Sequence, residues 1–356
     1  MEGMRTEVDE PTVAEVGEFG VIRRLAGDRP PGTDGTVLVD TGDDAAVLAT
    51  SDGRVVACTD MLVEGRHFRL EWSAPSDVGR KAIAQNAADI AAMGGECTGF
   101  LVALGCPPST PVRVLEEMSA GARAEAARVG AAIVGGDLVQ AQQVVLSVTA
   151  LGALSGRRAV RRSGARPGDV VALCGGTGAS AAGLALLESG WGTSECAVAL
   201  DEAAAARLIA AHLRPHPPYG AGPQAADAGA TAMIDISDGL VADLGHLAAE
   251  SGVVLRLDPA RLAEDAGGGA GFDDLRAAAD ALGADPWDWA LGGGEDHPLA
   301  ATFPAAGPLP EGWRAVGTVH ATGAAEAGGA RLPAGPAVLV GDSCYGGAPG
   351  WVAFGG

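Results

Sequence analysis

Ala230-Thr-Ala-Met-Ile-Asp-Ile-Ser-Asp-Gly-Leu-Val-Ala-Asp-Leu-Gly-His-Leu-Ala-Ala-Glu-Ser-Gly252 changes its period half-way along. Ala230–Ile234 is a short, largely apolar run of strand length. From Ser237 onward, Leu240, Val241, Leu244 and Leu247 recur at helical spacing on one face, and Gly252 supplies the stop. Asp235 and Asp238 stand at the junction. A strand that delivers carboxylates and a helix that leaves from them is the unit of an α/β architecture, with ligands expected outside the strand ends.

The same grammar runs through the rest of the chain. A short helix is expected at Glu18–Leu25, and strands at Thr36–Asp40, Ala45–Leu48 and Val55–Thr59, each ending near an acidic turn. Ser76–Met93 reads as a helix with Ser76 as its N-cap and Gly94-Gly95 as its stop. Thr98–Leu104 reads as a buried strand and Pro111–Val129 as a helix. Ala131–Val134 is a strand ending at Gly135-Gly-Asp137, and Val144–Leu154 is a further strand. Ser155–Asp169 then changes character, with arginines at 157, 158, 161, 162 and 166. The domain boundary is placed there, giving an N-terminal domain over 1–160 and a C-terminal α/β domain over 161–356. Val170–Leu173 is a strand entering Gly175-Gly-Thr-Gly178. Glu264–Gly271 and Ala321–Pro336 read as loops rich in small residues.

Composition bounds the partners. The 356 residues are enough for two cores, built from Ala, Val, Leu and Ile because aromatics are only 4%. A formal charge of −21 excludes the broad basic surface that nucleic acid or an anionic membrane would need. No apolar run approaches a membrane span, and Met1–Glu10 lacks the apolar core of a secretory signal. Six scattered cysteines without a C-x-x-C pair read as reduced thiols, so a cytoplasmic location is expected.

Acidic turns are the chemically suggestive feature: Thr41-Gly-Asp-Asp44, Cys58-Thr-Asp60, Asp89, Gly135-Gly-Asp137 and Asp235-Ile-Ser-Asp238. Singly, each reads as a turn-former or cap. Gathered by the fold, they would repel one another unless divalent cations filled the pocket, and such cations are partners of nucleotide phosphates. Asp89, in the last helical turn three residues after Asn86, sits where the helix dipole disfavours an anion. Gly292-Gly-Gly-Glu295-Asp296 is a further Gly-lined acidic turn. No G-x-x-x-x-G-K-[ST] is present, and Gly176-Thr-Gly178 lacks the third glycine of a dinucleotide fingerprint. A calcium-binding module would need regular loop spacing, which is absent.

Several stretches resemble the thiamine-monophosphate kinase family of the aminoimidazole-ribonucleotide-synthetase-like superfamily. They are Gly17-Glu-Phe-Gly20, Gly42-Asp-Asp-Ala-Ala-Val-Leu48, Thr59-Asp-Met-Leu-Val-Glu-Gly-Arg-His-Phe68 and Arg80-Lys-Ala-Ile-Ala-Gln-Asn-Ala-Ala-Asp-Ile-Ala-Ala-Met-Gly94. They continue with Gly135-Gly-Asp137, Arg162-Ser-Gly-Ala-Arg-Pro-Gly-Asp169, Ile234-Asp-Ile-Ser-Asp-Gly-Leu240 and Gly293-Gly-Glu-Asp296. The resemblance implies an α/β (α+β), two-domain synthetase-like kinase fold, with an N-terminal ATP-binding domain whose sheet forms a homodimer. It implies ATP-dependent phosphorylation of thiamine monophosphate, with Asp60, Asp137 and Asp238 as catalytic residues. Several Mg2+ ions would be held by Asp44, Cys58, Thr59, Asp60, Asp89, Asp137, Asp235 and Asp238. ATP would meet Gly136, Asp137, Arg162 and Ser237, and thiamine monophosphate would meet His67, Glu295 and Trp351. The chain departs from the family pattern at Leu138-Val139, where Thr-Thr is usual, at His297, where Tyr is usual, and at Ala353-Phe354, where His-Phe is common. The superfamily also holds cyclo-ligases and selenide-activating enzymes; the latter need an N-terminal Cys or selenocysteine, and no Cys precedes Cys58.

Overall fold

The structure, a computed structural model, describes residues 10–25, 35–39, 47–193, 198–264, 270–325 and 331–351. The first half of the chain forms α1 (Val13–Val16), α2 (Glu18–Leu25), β1 (Val37–Val39), β2 (Val47–Leu48), β3 (Val56–Val63), α3 (Pro75–Ala92), β4 (Glu96–Cys106), α4 (Val112–Arg128), β5 (Ile133–Gln140) and β6 (Val145–Ala153). Then come β7 (Val170–Cys174), α5 (Ala179–Glu188), α6 (Glu202–Leu213), α7 (Ala221–Asp227), β8 (Ala232–Asp235), α8 (Leu240–Ser251), β9 (Val253–Leu257) and α9 (Pro259–Leu262). The last elements are α10 (Phe272–Leu282), α11 (Pro286–Gly292), β10 (Leu299–Phe303), β11 (Arg314–Ala321), β12 (Ala337–Val340) and β13 (Ser343–Cys344).

Two compact units result, and neither follows a single cut of the chain. One gathers residues 1–49, 59–83 and 98–150; the other gathers 50–58, 84–97 and 151–356. In the first unit, a four-stranded sheet runs in the order β3-β6-β4-β5, with β4 and β5 parallel. Its buried face carries Leu62, Leu104, Val134, Leu138 and Leu146. The opposite face presents Met61, Leu101 and Val139, which are 52%, 37% and 53% exposed.

In the second unit, a seven-stranded sheet runs β13-β12-β9-β11-β7-β10-β8. It is mixed: β9 and β12 are parallel, while the other paired neighbours are antiparallel. Helix α8 lies against it through Leu240, Leu244 and Leu247, all fully buried, with Val241 packed beside them. At about 2 kcal/mol for each fully buried Leu, this one apolar face accounts for much of the helix's stability. Gly252 adopts φ +69 as the C-cap, a backbone that costs glycine nothing and any residue with a Cβ appreciably.

The periodic segments lie where their patterns predict: α2, α4, α8 and the strands β6, β7 and β8. Three readings are corrected. Helix α3 begins at Pro75, not after Ser76; the Asp77 and Val78 N–H groups donate to the Ala74 carbonyl, and Pro75 fills the first helical position, where no N–H is needed. β3 does not end before Asp60 but continues to Val63, because Leu62 is buried and Glu64 N–H still pairs with Val144 O. β5 likewise runs through Gly135-Gly-Asp137, since Leu138 continues the buried side begun by Val134. Asp60 and Asp137 are therefore mid-strand residues and not turn residues. The Gly42-Asp-Asp44 turn, and Asp44 with it, lies outside the described residues, as do Ala353 and Phe354. Among the described residues, no helix is long and apolar enough to cross a membrane.

Candidate active site

Asp235 is the last residue of β8, paired in register with Leu299 at the start of β10. The ladder continues past both strands: Ile236 N–H donates to Pro298 O, His297 N–H to Ile236 O, and Glu295 N–H to Ser237 O, at 2.9, 3.1 and 2.8 Å. The Gly-Gly-Glu-Asp-His segment is thus bound along the Asp235–Asp238 turn. Trp351 N–H donates to Asp238 O at 3.0 Å, and Ala242 N–H to Pro349 O at 3.0 Å, which seats the C-terminal segment on the same turn. Within this unit, Ser237, Asp238, Glu295 and Trp351 lie along one turn.

The charges there are adverse. Burial raises the Asp238 carboxyl above its ordinary range, and the charges of Asp235 and Glu295 push it further, against the opposing influence of His246 and His297. His297 donates through Nδ1 to Asp235 Oδ2 at 3.2 Å, both residues being 4% exposed. Burial opposes the imidazolium, yet the Asp235 bond and the charges of Asp235, Glu295 and Asp89 outweigh it, and the His297 pKa is raised. Asp89, on the α3 segment belonging to this unit, is therefore in electrostatic reach of the same ring. Among the described residues, no three His, Cys, Asp or Glu side chains converge closely enough to hold an ion by themselves.

Two further carboxylates hold this turn in shape. Asp243 Oδ2 accepts the N–H groups of Ser237, Asp238 and Gly239 at 3.0, 3.0 and 3.1 Å, closing the α8 N-terminus with a residue from its own first turn. Burial pushes its carboxyl up to about 6. Asp296 does the same for α5, accepting Gly178 N–H at 2.6 Å and Ser180 N–H at 2.7 Å across 118 and 116 residues of sequence. Burial pushes it up to about 7 despite those bonds. A carboxyl harder to ionise in the fold than in the unfolded chain lends stability that is complete below pH about 4 and lost as the pH rises through about 7. In metal-free buffer the urea midpoint is expected to fall over that window, and Asp296→Asn to flatten the fall; an unchanged slope in the variant would show that Asp296 is not its source.

In the other unit, Asp60 and Asp137 occupy the two edge strands of the four-stranded sheet, three inter-strand steps of about 4.8 Å apart. Asp137 pairs in register with Ala103 and lies on the exposed face with Leu101 and Val139. Asp60, between exposed Thr59 and Met61, takes the opposite side of the pleat. Within this unit the sheet does not bring these two together. Gly136 is required by packing: a Cβ there would collide with the Val102 carbonyl of β4. Thr59 Oγ donates to Val148 O at 2.9 Å and accepts from Thr149 Oγ at 3.2 Å, so its hydroxyl serves the sheet. His67 Nδ1 accepts Val63 N–H at 3.1 Å, which leaves the proton of the neutral ring on Nε2.

Cys58 Sγ donates to Asn86 O at 3.3 Å on α3. Arg162 is exposed, and its carbonyl accepts from Ser251 Oγ at 2.9 Å, at the far end of α8 from Ser237. The 12 residues of α8 put about 18 Å between those two attachment points. Asp243 is the residue here that sequence reasoning did not single out; Asp235, Asp296 and His297 were named, but neither the helix cap that Asp296 makes nor the pairing of His297 with Asp235. An acid in a first helical turn is a usable signal for Asp243. No local signal exists for Asp296, whose helix lies more than 100 residues away.

The family of AIR synthase related protein N-terminal domains matches residues 42–154. The thiamine-monophosphate kinase of Mycobacterium tuberculosis (strain ATCC 25618 / H37Rv) is 50% identical over 349 residues, spanning 98% of this chain and 94% of that protein. The chain belongs to the thiamine-monophosphate kinase family. The Corynebacterium glutamicum member of that family is 42% identical over 317 residues, 88% of this chain and 89% of that protein. The solved structure of AaThiL complexed with AMPPCP and TMP matches with a TM-score of 0.72 and 30% identity, over 99% of this chain and 100% of that one. The thiamine-monophosphate kinase fold thus accounts for both sheets of this chain.

Proposed function

We propose that this chain transfers the γ-phosphoryl group of ATP to thiamine monophosphate, giving thiamine diphosphate and ADP, as a cytoplasmic homodimer dependent on Mg2+. The observation that carries this reading is the placing of Asp235, Asp238 and Glu295 along one hydrogen-bonded turn, with Asp89 in electrostatic reach of His297 beside it, within a chain half identical to a thiamine-monophosphate kinase. A carboxyl raised first by burial and then by the charges of Asp235 and Glu295, as Asp238 is, fits a hard divalent cation. Such an ion needs no three-carboxylate cage, because Mg2+ keeps several waters and takes one or two carboxylates together with substrate phosphates.

The acceptor phosphate is already largely dianionic at pH 7, its second pKa being about 6, so the protein need supply no general base. Bound Mg2+ supplies charge neutralisation and in-line alignment of the two phosphates. Asp235 and Asp238, with Cys58 and Asp89 of the same unit, would hold it; the family motifs imply Asp44, Thr59, Asp60 and Asp137 as further ligands. Ser237, at the start of α8, offers a phosphate its hydroxyl; Gly136, Asp137 and Arg162 bind the rest of the nucleotide. Glu295 faces the cationic ring of thiamine monophosphate, and Trp351 and His67 pack against it. No phosphoenzyme is formed. In this division of labour, residues 1–160 supply ATP and Mg2+ binding and dimerisation, and 161–356 complete both the nucleotide and the substrate site.

The test is incubation with Mg-ATP and thiamine monophosphate, following thiamine diphosphate. Free thiamine and aminoimidazole precursors serve as controls, the latter reporting cyclo-ligase activity. Thiamine diphosphate formed from the monophosphate alone is expected; turnover of the precursor instead would overturn the assignment.

The dimer rests on the open sheet face. Three large apolar side chains on one sheet, each more than a third exposed, are the kind of surface that a second copy covers. Leu101→Glu is expected to shift the protein from dimer to monomer in light scattering. A dimer unaffected by that charge would place the interface elsewhere.

A further inference from the structure

His297 stands where the family usually has Tyr, and its environment is not that of a packing residue. Its Nδ1 faces Asp235 Oδ2 at 3.2 Å, and a carboxylate can only accept, so Nδ1 carries the proton. Among the described residues this is the hydrogen bond that the Asp235 side chain makes. Among the described residues, His297 Nε2 is buried without a hydrogen-bond partner. A histidine kept for structure alone would be expected to satisfy both nitrogens once buried. The backbone adds a second anomaly: His297 and Glu295 adopt φ +52 and +68, left-handed values unusual for residues with a Cβ. Strained backbone of this kind persists where the surroundings over-determine a functional geometry.

Resting on the kinase reading above, we propose that His297 is a positioning residue, whose Nδ1–H pins one oxygen of Asp235 and so fixes the carboxylate that would hold a metal with its other oxygen. Asp235 ends a strand beside Asp238 and Glu295, so an untethered carboxylate would rotate away from its like-charged neighbours. The Nδ1–H bond opposes that rotation, and the short ring reaches Asp235 because His297 N–H is fixed to Ile236 O. Outer partners that orient a ligating carboxylate typically matter 10–100-fold for metal affinity.

The test compares Mn2+ binding to nucleotide-free protein, read by loss of the free-ion EPR signal, in wild type and three variants. His297→Asn places an amide N–H where Nδ1 stood and tolerates the left-handed backbone; His297→Gln reaches the Nε2 position instead; His297→Phe keeps the ring and removes the donor. Mn2+ binding about 10–100-fold weaker is expected for Phe and Gln, with Asn within about threefold of wild type. In turnover, Phe should raise the Mg2+ requirement while leaving KM for thiamine monophosphate unchanged. If Phe does not fold, the Asn and Gln pair decides: equal Mn2+ affinity in those two overturns the proposal. So does a folded Phe variant that binds Mn2+ like wild type. Wild type that binds Mn2+ but leaves thiamine monophosphate untouched would overturn the kinase reading, and the Mn2+ comparison would still judge His297.

Discussion

Asp60→Asn and Asp137→Asn are each expected to lower kcat for thiamine diphosphate formation by about 10²–10³-fold while leaving the unfolding midpoint near that of wild type. The exchange keeps shape and removes one negative charge. Each side chain is at least partly exposed on an edge strand, and neither is part of the buried core. A loss of fold would therefore be surprising, and a loss of turnover would report the missing charge opposite the phosphates. Steady-state rates at saturating Mg-ATP, alongside circular dichroism, separate the two. Near-normal turnover in either variant would remove that residue from the phosphoryl-transfer machinery. Asp137 is the sharper case: it shares its sheet face with Leu101 and Val139, so its contribution depends on what covers that face.

Gly222→Ala is expected to damage both the fold and the site with a single methyl group. Gly222 of α7 lies against the last turn of α3, and a Cβ there would collide with the Ala91 carbonyl oxygen and stand 2.6 Å from the Ala91 carbon. Backbone is on the receiving side, so no rotamer change relieves the clash. The helices must separate, at a cost of about 1–3 kcal/mol for overpacking. Ala91 is two residues from Asp89, so the displacement reaches the acid cluster directly. A lowered urea midpoint together with a raised Mg2+ requirement is the expected pair. A midpoint equal to wild type would show that α7 and α3 are not held in this contact.

Helix existence and the chemistry of the acids were legible because both are local. Leu240, Leu244 and Leu247 define a face at helical spacing whatever surrounds them, and Gly252 stops that helix by its own conformational freedom. Motif order likewise led to the correct family, since Glu64-Gly-Arg-His-Phe68 and Asn86-Ala-Ala-Asp-Ile-Ala-Ala-Met-Gly94 are contiguous strings. Where a strand ends is a different matter. Gly135-Gly-Asp137 carries every local mark of a turn and is strand nonetheless, because β4 pairs with it and Leu138 finds a buried place. Local preference is worth tenths of a kcal/mol per residue, and a partner strand with a buried side chain outweighs it.

The sequence by itself determined which carboxylates this protein has, which helices and strands lie next to them, and to which family it belongs. Tertiary structure alone decided which of them meet. It set Asp89, Asp235, Asp238 and Glu295 around His297, placed Asp60 and Asp137 on opposite edges and faces of one sheet, and made Asp296 the cap of a helix 116 residues away. The reason is that hydrogen bonds and charges act over a few ångströms of space, and chain separation does not encode that distance until the sheets have formed.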